Sequence, residues 1–197
     1  MQALERAAPT LPMKPGMIER QEQEYIRHGT LVLTANFEVA TGKIILSTIG
    51  ETRNEQDYLK HIIQTISSDP DGKWIFINDQ LNTHQSESLV KFVAKQCGIK
   101  KDLGEKGKSG ILKNMKTRRD FLENKKHRIR FVFTPRHASW LNQVEIWFSI
   151  LARRLLKRES FSSTENLKMK IMAFIKYFNE VLAKPFKWTY KGKVLTV

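Results

Sequence analysis

The sequence predicts an α/β protein in which helices flank a mixed β-sheet. Three observations support this prediction: a hairpin pattern near the N-terminus, a short apolar run after a turn at 74–77, and helical periodicity between and after the strand signals. The chain has 197 residues, which suits one domain that buries a hydrophobic core.

The N-terminal quarter divides into a lead-in and a hairpin. Residues 1–24 contain three prolines among mixed charges, so we expect an extended lead-in with little capacity to pack. Residues 25–197 are expected to form the domain itself. Two β-rich runs around a Gly-containing turn predict a hairpin with strands at about 29–39 and 43–49.

Helix and strand signals alternate through the middle of the chain. Apolar residues recur at helical spacing over Glu55–Ile66, which predicts an amphipathic helix. The run Trp74–Ile77 is continuously apolar, as is typical of a strand buried on both faces. Ser86 or Ser88 is a suitable N-cap for a second helix, and Gly98 is a suitable stop.

The C-terminal part predicts one strand and two helices. Apolar residues alternate over Ile129–Phe133, and Pro135 closes this strand. Amphipathic helices are predicted at 142–158 and 163–182. Three aromatic residues of the tail are expected to pack against the last helix: Phe186, Trp188 and Tyr190.

The charge of the chain favours a polyanionic partner. The formal net charge is +14, and residues 100–130 alone hold twelve Lys and Arg against four acidic residues. A basic protein of a ribosome or membrane surface has similar composition, so charge by itself leaves these classes open. No run of about 18 apolar residues exists, so we expect no membrane span. The single cysteine, Cys97, excludes an internal disulfide and favours a cytosolic setting.

Two carboxylates are candidates for chemistry. Asp79 directly follows the predicted strand at 74–78, at the strand end where α/β sheets place their ligands. Its alternative is a local turn hydrogen bond. If Asn142 is the N-cap of the next helix, Glu145 lies in the first turn, where it can attract a metal or simply complete a capping box.

Three segments of the sequence, with a fourth near the N-terminus, resemble a known family. The segments are Trp74–His84 (WIFINDQLNTH), Phe133–Trp147 (FTPRHASWLNQVEIW), Lys184–Tyr190 (KPFKWTY) and Tyr25–Thr30 (YIRHGT). They are similar to the catalytic domain of DDE-superfamily insertion-sequence transposases of bacteria, in the branch related to mariner transposases. The second segment is the most specific, and the resemblance extends over nearly the whole chain.

The resemblance implies a ribonuclease-H-like (integrase-like) fold and a metal-dependent DNA strand transferase. It assigns Asp79 and Glu145 as catalytic metal ligands for two Mg²⁺ or Mn²⁺ ions, which prefer carboxylate oxygens. The family uses a third carboxylate, an Asp at the end of the first strand. No Asp precedes Asp57 here, so we expect that strand and its Asp to be absent and the chain to be inactive by itself.

The expected partner is DNA, both the element ends and the target, with a homodimer left open. Residues 100–127 are interpreted as a basic insertion that approaches DNA phosphates. The candidate DNA-binding residues are Lys106, Lys108, Lys113, Lys116, Arg118, Arg119, Arg153 and Arg154. The resemblance implies a prokaryotic, cytoplasmic and nucleoid-associated protein.

Two other functions and two weaker motifs are also compatible with parts of the sequence. A non-catalytic DNA-binding transposase remnant is the main alternative, and an unrelated RNA-binding protein is the next. Gly104–Ser109 ends like a phosphate-binding loop, but Asp102 stands where the motif begins with Gly, and we reject it. The histidines show no zinc-ligand spacing, and His84 is either a contact to DNA or metal-bound water, or an ordinary loop residue.

Overall fold

The computed structural model describes residues 1–20, 22–135 and 138–187. These residues contain four strands followed by a mixture of helices and strands, and the predicted α/β class is confirmed. The strands are β1 Gln2–Arg6, β2 Tyr25–Thr30, β3 Val32–Glu38, β4 Lys43–Gly50, β5 Trp74–Asn78 and β6 Ile129–Phe133. The α-helices are α1 Glu55–Ile66, α2 Glu87–Gln96, α3 Met115–Leu122, α4 Val144–Leu151 and α5 Thr164–Tyr177.

The strands of the described chain form three separate pairs, so the predicted single mixed sheet is not formed there. Strands β1 and β2 are antiparallel, as are β3 and β4, whereas β5 and β6 are parallel. The chain divides into two compact units. The first unit contains Met1–Thr52 and Trp147–Pro185, and the second contains Arg53–Ile146 with Phe186 and Lys187 of the described chain. Their boundary falls within α4.

The first unit corrects the expectation that residues 1–24 are a loop that packs little. Strand β1 pairs with β2, and Ala3 within it is fully buried. The backbone N–H of Phe161 donates to the carbonyl of Leu4 at 2.9 Å. These contacts join β1 to residues far along the chain, and such pairing leaves no local signal in a proline-rich sequence.

The first unit has its own hydrophobic core. The β3–β4 hairpin matches the prediction, with β3 beginning at Val32 rather than 29, and Ile44 on β4 is buried. Helix α5 begins after the N-cap Ser163 and continues as a π-helical turn over Phe178–Leu182, in agreement with the predicted helix at 163–182. The buried apolar side chains of this core include Trp147, Leu151, Phe161, Leu167, Ile171 and Phe178.

The second unit packs helices α1, α2 and α3 around the parallel β5–β6 pair. Helix α1 has the predicted bounds, and Ser86 is the N-cap of α2, accepting a hydrogen bond from the backbone N–H of Leu89. Gly98 follows α2 with a φ of +65°, a backbone conformation that favours glycine. Phe76 of β5 and Phe131 of β6 stack with ring centroids 5.1 Å apart, which places the core between the sheet and the helices.

Strand β5 is buried on one face only, so the prediction of burial on both faces is wrong. Phe76 is buried, whereas Ile75 and Ile77 are 63% and 48% exposed. A continuous apolar run therefore does not by itself show that both faces of this strand are buried. Burial on a second face depends on which elements cover the sheet, and a local pattern does not record that.

The basic stretch 100–127 is more than a solvated insertion. It contains helix α3, which the sequence analysis missed, and it contributes Leu112, Phe121 and Leu122 to the buried core of the second unit. Asn114 is the N-cap of this helix in a reciprocal capping box with Thr117. These three core residues stand among lysines and arginines, so the segment shows no clear apolar periodicity that would predict a buried helix.

Helix α4 begins at Val144 and continues as a π-helical turn over Ala152–Leu156, close to the predicted span of 142–158. The predicted capping box between Asn142 and Glu145 is not formed as expected. The side-chain oxygen of Asn142 lies 3.5 Å from the backbone N of Val144, and its carbonyl accepts from the backbone N–H of Glu145 at 3.0 Å. Over the described residues, no helix combines the length and apolarity needed to cross a membrane.

Acid sensitivity is predicted for the core of the second unit through His61. Its side chain is completely buried in α1, and burial lowers the pKa of the imidazole to about 4. The unfolded chain protonates this group near its usual pKa of about 6.5, so stability is lost as the pH falls between these two values. We expect His61 to account for about 2 kcal/mol of lost stability between about pH 7 and about pH 4.5.

Urea unfolding at both pH values measures this loss. His61→Leu should reduce the difference in unfolding free energy between the two pH values by that amount, and His127→Gln, which changes a half-buried histidine of the same unit, should reduce it less. An equal pH dependence in wild type and His61→Leu would contradict the prediction.

Candidate active site

Asp79 is the first residue after strand β5, at the carboxyl end of the parallel pair. The backbone N–H of Thr134 donates to the carbonyl of Asn78 at 2.8 Å, which aligns the ends of β5 and β6. The Asp79 carboxylate also accepts from the backbone N–H of Leu81 at 3.2 Å. The local turn bond considered from sequence is therefore present, and it leaves the second carboxylate oxygen available for other ligands.

His84 lies against Asp79. It belongs to the 3₁₀ turn Asn82–Gln85, and its Nδ1 is 2.7 Å from Oδ1 of Asp79, although the approach is not that of a well-aligned hydrogen bond. This neighbour lowers the pKa of the Asp79 carboxyl, and the backbone N–H of Leu81 contributes in the same direction. Asp79 is therefore held in its charged form.

Tyr58 packs against His84, and Asn78 holds the Tyr58 side chain in place. The Tyr58 ring, buried on α1, lies 4.2 Å from the His84 ring between centroids. The Nδ2 of Asn78 donates to the Tyr58 hydroxyl, and burial raises the pKa of that hydroxyl well above its usual range. The apolar spacing over Glu55–Ile66 predicts Tyr58 only as part of the apolar face of a helix. Its contact with His84 bridges 26 positions, and no local pattern indicates it.

Glu145 lies in the first turn of α4, within the same unit as Asp79. The Nδ2 of Asn142 donates to the carbonyl of Ile77 at 3.4 Å, which ties the segment before α4 to strand β5. Partial burial raises the pKa of the Glu145 carboxyl, and the negative charge of Asp79 raises it further. The fold thus brings Asp79 near enough for its charge to act on the Glu145 carboxyl.

The coupling between these carboxylates predicts a measurable titration. The Glu145 carboxyl should titrate above the usual Glu range, because protonation relieves repulsion from Asp79 and the cost of burial. Asp79→Asn removes the repulsion and should lower the pKa of Glu145 toward the usual value, as followed by ¹³C NMR of the carboxyl carbon. His84→Gln, which keeps the Asp79 charge, should leave the Glu145 pKa raised. An unchanged Glu145 pKa in Asp79→Asn would show that the two groups are not coupled.

Two nearby carboxylates can share a divalent cation, which neutralises their mutual repulsion. Within the described ranges, no group of three or more His, Cys, Asp or Glu side chains is placed to hold a metal ion. Asp79 and Glu145 are thus two carboxylates of a region where the described residues show no complete ligand set for a metal ion.

The candidate DNA-binding residues of the second unit differ in their surroundings. Lys113 and Lys116 are exposed around the start of α3. Lys108 pairs with Glu105 at 2.8 Å, and Lys106 lies 3.9 Å from Glu87. The first two lysines are thus the most available to a phosphate, and the other two have nearby acids that compete.

The candidate arginines are less uniform than the sequence suggested. Arg118 is buried, with one terminal nitrogen 2.9 Å from the sulfur of Met115. Arg119 pairs with Glu123 at 3.0 Å and lies over the ring of Phe133. Two further candidates lie in the first unit and are exposed: Arg153 and Arg154. Arg136 and His137 of the second sequence segment, and the tail residues Trp188 and Tyr190, lie outside the described residues, whereas Phe186 is half-buried.

The described chain is an α/β protein in which Asp79 follows the parallel strand β5 and Glu145 lies near enough to be affected by its charge. The family model for the DDE superfamily endonuclease matches residues 3–168, which is most of the chain. The chain belongs to the DDE superfamily endonuclease family. A search of curated proteins found no significant match, and neither did a search of solved structures.

Proposed function

We propose that this chain is a transposase-type domain for metal-dependent DNA strand cleavage and strand transfer, with Asp79 and Glu145 as two of the catalytic carboxylates that the reaction needs. The observation that carries the proposal is the placement of Asp79 directly after strand β5 and of Glu145 in the first turn of α4, whose preceding segment is held to β5 by Asn142. The charge of Asp79 acts on the Glu145 carboxyl, and membership of the DDE superfamily endonucleases also supports the proposal.

The two carboxylates would hold Mg²⁺ or Mn²⁺, which as hard cations prefer oxygen ligands. When bound, such ions activate the attacking oxygen and stabilise the leaving oxygen of a phosphodiester. Partial burial and the negative charge of Asp79 raise the pKa of Glu145, and a bound cation would neutralise that charge. Asp79 is ionised at neutral pH, because His84 lowers the pKa of its carboxyl, so it would bind a cation without first losing a proton.

Neighbouring residues would position these ligands. His84 contacts Oδ1 of Asp79 and thereby restricts the rotation of its carboxylate, while the Tyr58 ring supports the imidazole from the core side. Asn142 ties the start of α4 to strand β5 and so fixes the approach of Glu145. A ligand fixed by packing in this way loses little entropy when it binds an ion.

A non-catalytic DNA-binding role is the second candidate. The observation that favours it is that, within the described ranges, no three His, Cys, Asp or Glu side chains are grouped to hold a metal ion. Incubation of supercoiled DNA with the protein and Mn²⁺ separates the two roles. Nicking supports the catalytic proposal, whereas DNA binding without nicking supports the alternative, and equal affinity for RNA would contradict both.

Salt dependence tests the basic surface of the second unit. Replacing Lys106, Lys108, Lys113 and Lys116 by Gln removes four exposed cations, and we expect the slope of log K against log salt to flatten by about 3. Fluorescence anisotropy with a duplex oligonucleotide measures the slope. Arg118 is left intact because it is buried.

The matched control changes the same amount of charge elsewhere. Gln at the exposed positions Lys14, Lys43, Lys60 and Lys168 should alter the slope by less than about 1, because these lysines lie outside the basic stretch. Equal flattening in the two quadruple variants would show that net charge alone governs binding and would contradict the assignment of this surface.

A further inference from the structure

A pocket of about 430 Å³ lies in the second unit at the amino ends of the parallel strands, away from Asp79. Arg128 directly precedes β6, and its carbonyl accepts from the backbone N–H of Trp74 at the start of β5. Since β5 and β6 are parallel, this end of the pair is opposite the end that holds Asp79. The pocket is lined by Gln96, Cys97, Ile99, Asn124, Lys126, His127 and Arg128.

The lining of this pocket is cationic. It contains Lys126 and Arg128 and no Asp or Glu. The Arg128 guanidinium donates to the Gly72 carbonyl at 3.1 Å and to the side-chain oxygen of Gln96 at 3.0 Å, and its Nε lies 3.4 Å from the Gln96 carbonyl. All three acceptors are neutral. The guanidinium is therefore fixed in place while its charge stays uncompensated by these contacts, and two of its five N–H donors remain for another acceptor.

A tight turn over residues 124–127 holds the other polar residues of the pocket lining. The side-chain oxygen of Asn124 accepts from the backbone N–H of Lys126 at 3.0 Å, and the Asn124 carbonyl accepts from that of His127 at 3.1 Å. The His127 ring packs on Phe121 with centroids 4.6 Å apart, and its Nδ1 is buried without a hydrogen-bond partner among the described residues. The ring is thereby fixed in the pocket lining, where its C–H signals can report an occupant.

We infer that this pocket binds a phosphate group, held by Lys126 and Arg128 beside the His127 ring. A phosphate supplies several strong acceptor oxygens, which match the two free donors of Arg128 and the ammonium of Lys126. The free carbonyls at the C-terminal end of α2 carry partial negative charge, which repels an anion. The Arg128 guanidinium contacts Gln96 at that end and so reduces the repulsion. The same chemistry is offered by a nucleic acid backbone and by free phosphate. The inference stands independently of catalysis at Asp79.

The test is an NMR titration of the full chain, which follows the imidazole C–H signals of His127 as inorganic phosphate is added, with His127→Gln to assign them. We expect saturable shifts at His127, and Lys126→Gln should weaken phosphate binding by about tenfold. The matched control is Lys125→Gln, which removes the adjacent exposed lysine outside the pocket lining and should leave the affinity within about twofold.

Two further arms identify the source of the phosphate. If a short duplex oligonucleotide shifts the same His127 signals and competes with inorganic phosphate, the pocket contacts a nucleic acid backbone. If only inorganic phosphate does so, the pocket holds the free anion. Absence of any His127 shift with either probe, or equal weakening by Lys126→Gln and Lys125→Gln, would overturn the inference.

Discussion

Replacement of Asp79 by Asn or of Glu145 by Gln is expected to weaken Mn²⁺ binding by at least about tenfold and to lower any Mn²⁺-dependent DNA cleavage by about a thousandfold. Each change preserves shape but replaces an anionic ligand by a neutral amide. Asp79→Asn also removes the partner of His84, and Glu145→Gln relieves the repulsion that raises the Glu145 pKa. Mn²⁺ binding is measured by electron paramagnetic resonance, and cleavage by nicking of supercoiled DNA.

Two controls match these variants. Glu55→Gln removes a carboxylate from the first turn of α1, as Glu145→Gln does for α4, and Asp71→Asn removes an exposed Asp of the same unit. Both should bind Mn²⁺ and DNA as the wild type does. Wild-type Mn²⁺ affinity in the double variant Asp79→Asn with Glu145→Gln would exclude these residues as a metal site. DNA binding should survive in all variants, because the basic residues are unchanged.

Truncation of Trp147 to Ala should destabilise the protein by about 3–5 kcal/mol, a large part of the total stability of an ordinary domain. Trp147 is completely buried in the core of the first unit, with the Phe148 ring at 5.3 Å and the Phe178 ring at 6.2 Å between centroids. Removing the indole leaves a cavity beside both rings. Urea unfolding followed by circular dichroism measures the loss.

The comparison with Trp147→Phe separates packing from hydrogen bonding. The indole Nε1 is buried and has no hydrogen-bond partner in the described structure, so Phe loses area without losing a bond. We expect a cost of roughly 1–2 kcal/mol for this variant. Met169→Ala on the exposed side of α5, where the side chain is 62% exposed, should cost less than about 0.5 kcal/mol. An unfolding free energy of Trp147→Ala within about 1 kcal/mol of wild type would contradict this account of the core.

Local sequence features determined the elements whose signals lie within a few residues. Helix α1 and helix α5 follow from apolar spacing, and α2 follows from its Ser86 N-cap together with the glycine after its end. Contacts at i, i+3 and i+4 belong to the helix itself, so the amino-acid order is sufficient to specify them. The position of Asp79 after a strand was predictable for the same reason. The apolar run that specifies strand β5 ends just before the polar residues Asn78 and Asp79.

Tertiary structure alone decided which distant residues meet. Strand β1 forms because residues near 25–30 and Phe161 supply its partners, and helix α3 is held by core contacts that its charged sequence conceals. The electrostatic coupling of Glu145 to Asp79 and the pocket beside Arg128 join residues that are 25 to 66 positions apart. Such contacts gain their free energy from burial and from charges brought together by the fold, so neither composition nor periodicity records them.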